Sequence, residues 1–201
     1  LVGSEMCIRD RDGDGDRLII CDENGKIVDG DQILGLLAIS FHAENRLNNA
    51  TVVATEMSNL GLEKKLNEHS IKLLRTSVGD RYIKEEIIKH KLNLGGEQSG
   101  HIIIKDHGSS GDGMVTALKI LSILKDKEEK ASKILNIFTP VPQKLLNFSI
   151  SDKKVLDKKE TQSLIRSYKQ ELASDGRIFE RMSETEPVLR VMIECNDAEK
   201  L

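Results

Sequence analysis

Three short stretches of this sequence mix glycine with carboxylate, hydroxyl, imidazole and guanidinium side chains, and each can hold a charged or polar ligand. The first is Asp12-Gly13-Asp14-Gly15-Asp16-Arg17. In an extended loop, residues two apart point the same way, so the three carboxylates can converge. The intervening glycines permit positive φ and close approach of an ion. Hard oxygen ligands of this kind suit Mg²⁺ or Ca²⁺ rather than zinc, and Arg17 can contact an anion brought to the metal. An EF-hand calcium loop is the main rival, and neither register fits it. Started at Asp10, it puts Cys21 where a bidentate Glu is needed; started at Asp12, it has Glu23 there but Arg17 in place of the turn glycine. An acidic surface turn is the plain alternative.

The second stretch is Gly95-Gly96-Glu97-Gln98-Ser99-Gly100-His101. Glu97 can accept from two vicinal sugar hydroxyls, Ser99 can donate or accept, and His101 can transfer a proton near neutral pH. A dinucleotide fingerprint is excluded, because position 97 is not Gly and no helix pattern follows. A glycine-rich hairpin without a ligand remains open. The third is Arg181-Met182-Ser183-Glu184-Thr185-Glu186-Pro187 with Arg190 beyond it. Arg181, Arg190, the hydroxyls of Ser183 and Thr185, and free loop amides make a phosphate cradle. Taken alone that signal is weak. A fourth run, Gly108 to Gly113, precedes a strong helix pattern, and Asp112 reads as its N-cap more readily than as part of an anion site.

These stretches sit in an alternation of strand and helix patterns. Strands are expected at 18–22, 51–55 and 71–76, with an Asn24-Gly25 turn after the first. Helices are expected at 31–46, 60–69, 80–91 and 113–125 by apolar spacing. Residues 92–94 and 101–104 flank the glycine-rich loop. The alternation implies βαβ units and an α/β domain with a parallel-type sheet covered by helices. The charge run 126–130 reads as a solvated helix start. Beyond Pro140 and Pro142 the pattern changes to an extended stretch at 145–150, a helix at 158–173 with Asp157 and Glu160 at capping-box spacing, and strands near 177–181 and 188–195. That is a small α+β domain, with the boundary near Thr139. Residues 1–11 show neither a helical nor a strand period, read as a non-native leader, and are set aside; without a supporting strand the acidic loop is expected to be poorly ordered.

Composition bounds the function. A formal charge of −3 over 201 residues gives no global field favouring nucleic acid or an anionic membrane, so an anion must be held by local donors. Three scattered cysteines argue against a disulfide framework or zinc site and fit a reducing cytoplasm. No apolar run approaches the ~18 residues that span a bilayer.

In this order and spacing, the acidic loop, the Gly-Glu-Gln-Ser-Gly-His loop and the Arg-x-Ser-x-Thr-Glu-Pro loop resemble the α-D-phosphohexomutase superfamily. Gln98, the run 54–62 (Ala-Thr-Glu-Met-Ser-Asn-Leu-Gly-Leu), the run Val78-Gly79-Asp80-Arg81-Tyr82, and Arg190-Val191-Met192 resemble its phosphoglucosamine mutase branch; phosphomannomutases and phosphoglucomutases are similar but usually carry Met in the sugar loop. The resemblance implies interconversion of glucosamine 6-phosphate and glucosamine 1-phosphate through a phosphoserine and a bisphosphorylated intermediate, with one Mg²⁺ and a glucose or glucosamine bisphosphate activator. It implies Asp12, Asp14 and Asp16 as metal ligands, Arg17 and His101 near the reacting centre, Glu97 and Ser99 on the sugar, and Arg181, Ser183, Thr185 and Arg190 on the non-reacting phosphate. It further implies that residues 12–28 are a remnant of domain 2, 29–138 domain 3 and 139–201 a truncated domain 4, the phosphoserine domain standing outside the chain. The partner would be a small phosphosugar, with no nucleic acid and no membrane. Glu184 departs from the branch, which has Gly there, and a carboxylate beside a phosphate is repelled. A non-catalytic metal- or phosphosugar-binding module is the reading from a different class.

Overall fold

The computed structural model describes residues 6–9, 14–152, 154–173, 175–183 and 186–201. The chain divides into two compact units, Leu1–Thr139 and Pro140–Leu201.

The first unit opens with a small antiparallel sheet of β1 (Met6–Arg9), β2 (Ile19–Asp22) and β3 (Ile27–Val28). The sequence reading expected no supporting strand before the acidic loop; that is corrected for residues 6–9, since Met6–Arg9 pairs along its length with Asp22–Ile19 and supplies β2 with a neighbour. The Asn-Gly turn closes β2 onto β3. The Asp22 carboxylate accepts from Asn24 N–H and Lys26 N–H at 2.9 and 3.0 Å.

The remainder of the unit alternates: α1 (Gly30–Ala43), β4 (Thr51–Thr55), α2 (Leu60–Glu68), β5 (Lys72–Thr76), α3 (Asp80–Lys89), β6 (Leu94–Gly96), β7 (Ile102–Ile104), α4 (Gly113–Lys127) and a single turn, α5 (Ala131–Ile134). The sheet runs β5-β4-β6-β7. β4 is parallel to β5 and to β6, and β7 returns antiparallel to β6, so the sheet is mixed. β-branched residues in β4 suit a strand covered on both faces. Val52 and Ala54 enter the core with α1, α2 and α4, through Ile33, Leu34, Leu37, Leu62, Leu66 and Ile120. Val53, pointing the other way, packs with Ile83 and Ile87 of α3 and with Ile103. Burying each such side chain contributes roughly 1.5–3 kcal/mol, so helices lock both faces of a sheet whose strand ends carry the loops of interest. The charge run is the end of a helix, not a start: α4 continues to Lys127 and Glu128 closes it in the left-handed region at φ 49°.

The second unit is an antiparallel sheet of β8 (Gln143–Ser149), β9 (Gly176–Met182) and β10 (Val188–Cys195), in the order β8-β10-β9, with α6 (Lys159–Leu172) between β8 and β9 in sequence. The expected capping box is not formed: Lys158 is the N-cap and no side chain caps α6. Glu194, fully buried, pairs with Arg177 directly across the β9–β10 ladder.

Candidate functional site

In the first unit the acidic loop and the glycine-rich loop are one structure. Leu18 N–H donates to Gly100 O at 3.1 Å, Arg17 and His101 form a backbone bridge, and Gly113 N–H, opening α4, donates to Gly15 O at 3.0 Å. The close approach at Gly100 requires glycine twice over. Its φ is 91°, and a Cβ there would run into Leu18 O. From the other side α1 buttresses the loop, with Gly30 N–H donating to Gln98 O at 2.9 Å. Within the loop, Glu97 N–H bonds His101 O and Gly100 N–H bonds Glu97 O, both at 3.0 Å, which fixes the tight turn carrying Gln98 and Ser99.

Five of the expected side chains of this half, besides Asp14, are described: Asp16, Arg17, Glu97, Ser99 and His101. His101 is buried, 5% exposed, and its Nδ1 lies 2.8 Å from Asp16 Oδ2. Glu97 is half-buried and accepts from Gly79 N–H at 3.0 Å through Oε1. Ser99, Asp14 and Arg17 are exposed, and Asp16 is half-buried. Asp12 lies outside the described residues. Among the described residues no group of three His, Cys, Asp or Glu side chains converges as a metal cage. Asp14 and Asp16 nevertheless flank Gly15, whose φ of 72° turns the backbone between them, and two hard carboxylates in a tethered loop are a donor set that fits Mg²⁺. The element before this loop is a strand, where an EF-hand needs a helix. Asp112 is the N-cap of α4, accepting from Met114 N–H and Val115 N–H at 2.9 Å, so the fourth run is a cap.

Two features of this half had no separate signal in the sequence. Gly79, the residue before α3 with φ 128°, is the partner of Glu97; only the run 78–82 as a whole stood out, and only by resemblance. Asp31, in the first turn of α1, is fully buried and accepts from Asn59 N–H at 2.7 Å. Burial pushes its carboxyl up to about 7, against the opposing pull of that Asn59 bond.

In the second unit Arg181 and Arg190 are direct cross-strand partners on β9 and β10, so both guanidiniums leave the same face of the sheet. Ser183 follows two residues after Arg181, and its N–H donates to Val188 O at 2.9 Å, closing the loop that joins the strands. Arg190 also reaches Glu186 Oε2 at 3.4 Å. Glu184 and Thr185 lie outside the described residues. Like charges directly opposite on neighbouring strands repel, and a phosphate is the natural counter-charge for them.

Family models match both units: phosphoglucomutase/phosphomannomutase alpha/beta/alpha domain III over residues 29–141, and the C-terminal domain of the same group over 145–201. The chain belongs to the phosphoglucomutase/phosphomannomutase family. Its relatives include the phosphoglucosamine mutases of Rhizobium etli, 49% identical over 186 residues, 92% of this chain and 41% of the relative, and of Bdellovibrio bacteriovorus, 47% identical over 184 residues, 91% and 40%. The chain thus spans about two fifths of the length of the curated relatives it matches. Among solved structures, a phosphoglucomutase/phosphomannomutase family protein of Burkholderia thailandensis superposes with a TM-score of 0.79 at 24% identity, covering 98% of this chain and 44% of that one. The N-acetylphosphoglucosamine mutase of Aspergillus fumigatus, solved with GlcNAc-6P and magnesium, superposes with a TM-score of 0.79 at 20% identity, covering 98% and 50%. At these identities the superpositions establish the family fold. Among the described residues no helix is long and apolar enough to cross a membrane.

Proposed function

We propose that the protein carrying this chain is a cytoplasmic phosphoglucosamine mutase, interconverting glucosamine 6-phosphate and glucosamine 1-phosphate through a phosphoserine enzyme and a bisphosphorylated sugar, and feeding UDP-N-acetylglucosamine synthesis. The observation that carries this reading is the tethering of the acidic loop to the Gly-Glu-Gln-Ser-Gly-His loop by the Asp16–His101 bond and the flanking backbone bonds. It holds the acidic loop and the glycine-rich loop side by side, which supports reading them as the phosphoryl-neutralising and sugar-binding parts of one site. The phosphoglucosamine mutases among its relatives support the hexosamine substrate, and the magnesium in the A. fumigatus neighbour supports the metal.

In this reading Asp12, Asp14 and Asp16 hold Mg²⁺, which when bound neutralises charge on the transferring phosphoryl oxygens. Arg17, exposed beside them, grips that phosphoryl group, and His101 lies near the reacting centre. Glu97 Oε1 is anchored on Gly79 N–H, which orients Oε2 for the sugar hydroxyls, with Ser99 beside it. Arg181, Ser183, Thr185 and Arg190 hold the phosphate that does not react. The sugar turns over between the two half-reactions, so positioning and charge neutralisation do most of the work.

The phosphoserine donor would lie in the part of the relatives that this chain does not span, and the 201 residues alone would be inactive. The test is a coupled assay of the complete protein with a bisphosphate activator, comparing glucosamine, glucose and mannose phosphates. Glucosamine 6-phosphate should give the highest kcat/KM. A preference for mannose or glucose phosphate would move the protein to the phosphomannomutase/phosphoglucomutase branch, and turnover by the 201-residue chain would exclude an external serine.

A further inference from the structure

We propose that His101 is a positioning residue: it holds the Asp16 carboxylate in the orientation that binds the metal. This rests on the reading of the acidic loop as a magnesium site.

Four observations point to this role. The His101 Nδ1 to Asp16 Oδ2 distance is 2.8 Å. An ionised carboxylate can only accept, so Nδ1 carries the proton and donates it to Asp16. The ring is 95% buried by the 5% exposure quoted above, which leaves little room for a substrate to reach it. The ring is packed on Gly111, where a Cβ would sit 2.5 to 2.8 Å from Cε1, Nε2 and Nδ1. Nε2 is buried with no hydrogen-bond partner among the described residues. A ring held between a glycine and a carboxylate can hardly rotate, and its one firm bond goes to an expected metal ligand.

Such outer partners fix which oxygen a carboxylate presents to a cation. Asp16 belongs to the acidic loop and His101 to the glycine-rich loop, and the backbone bonds Leu18 N–H to Gly100 O and Gly113 N–H to Gly15 O flank the pair. The donor of Asp16 is therefore held at a fixed place relative to the acidic loop. Proton transfer to the sugar, the role that the sequence suggested for His101, needs a ring nitrogen facing substrate; both nitrogens of this ring are occupied or buried.

The experiment measures metal affinity in the complete protein, without substrate, by calorimetry with Mg²⁺ and by the electron paramagnetic resonance of added Mn²⁺. The variants are His101→Asn, His101→Gln and His101→Ala, with Asp14→Asn and Asp16→Asn as controls. The amide nitrogen of Asn falls close to the position of Nδ1, whereas that of Gln falls close to Nε2. Loss of an outer partner costs about 10–100-fold in metal affinity, so His101→Gln and His101→Ala should weaken binding by that factor and His101→Asn should restore most of it. If the Gln side chain cannot pack against Gly111 and the variant fails to fold, the smaller Ala carries the comparison with Asn. Asp14→Asn and Asp16→Asn weakening the metal while the three His101 variants bind it like the wild type would overturn the role of His101 and leave the metal reading standing. Unchanged affinity in the two Asp variants would overturn the metal reading and the inference with it.

Discussion

Glu97 does two things that substitution can separate. Its Oε1 anchors Gly79 N–H at the start of α3, and its place in the turn makes it the proposed acceptor for sugar hydroxyls. Glu97→Gln keeps an oxygen for Gly79 and removes the charge. A hydrogen bond to a charged group is worth about 1.5–3 kcal/mol, so Gln should lower kcat/KM by one to two decades with an unchanged melting temperature. Glu97→Ala should also lose about 1 kcal/mol of stability, because Gly79 N–H loses its partner. A Gln variant with normal kcat/KM and a lowered melting temperature would make the residue structural. The Arg181–Arg190 pair has the opposite signature. Two arginines directly opposite across a ladder repel each other, and the exposed 3.4 Å contact of Arg190 with Glu186 offsets this only weakly. Arg190→Met should therefore raise the KM for the phosphosugar while leaving the ligand-free unit at least as stable, and the KM effect should shrink as salt rises. Loss of stability with an unchanged KM would remove Arg190 from the phosphate site. Residue types and their order showed where to look in both cases. They did not show the partners, because Gly79 reaches Glu97 through the fold and not through any local pattern.

At the scale of elements, the apolar periods of α1 to α4 and the β-branched run of β4 were legible, because each of these elements buries a full face. Their spacing therefore reports packing directly. Two features that depend on what lies opposite in space were misread: the β1 strand, whose residues have no period of their own, and the start of α6, where Lys158 and not Asp157 takes the cap position. Glycines show the same divide. Gly25 has φ 78° with nothing within 4 Å of a built Cβ, so Gly25→Ala should cost only the left-handed strain of about 1–2 kcal/mol. Gly30 has an ordinary φ, but a Cβ there would collide with the backbone of residues 97, 98 and 100. Gly30→Ala should cost about 1–3 kcal/mol as overpacking and should also push the sugar loop off α1, raising the KM. Gly25→Ala should leave the KM alone. Equal kinetic effects in the two variants, measured beside their melting temperatures, would mean that α1 does not position the loop.

Across the whole molecule the buried apolar side chains are unevenly shared. Most of the core lies in Leu1–Thr139, while α6 has no buried residue and β8 is largely exposed. Segments with few buried contacts open at lower free energy. Chemical denaturation should therefore proceed in two steps, with hydrogen exchange showing residues 143–195 losing protection first. Asp31 marks the second step, because it is buried in the first unit. Its carboxyl titrates near 7 when folded against an ordinary value of 3.8. Between those values the folded state holds a proton that the unfolded chain has released. Stability is thus greatest below about pH 4 as far as this group is concerned, and it is lost as pH rises through 7. The second transition should move to lower denaturant between pH 4 and pH 7 and the first should not follow it. Asp31→Asn has an amide in the same place and nothing to titrate, so it should flatten that dependence and leave Asn59 N–H with an acceptor. A second transition whose pH dependence is the same in the Asn variant would mean that Asp31 ionises normally in the folded chain, and a single transition at every pH would mean that the two units unfold as one.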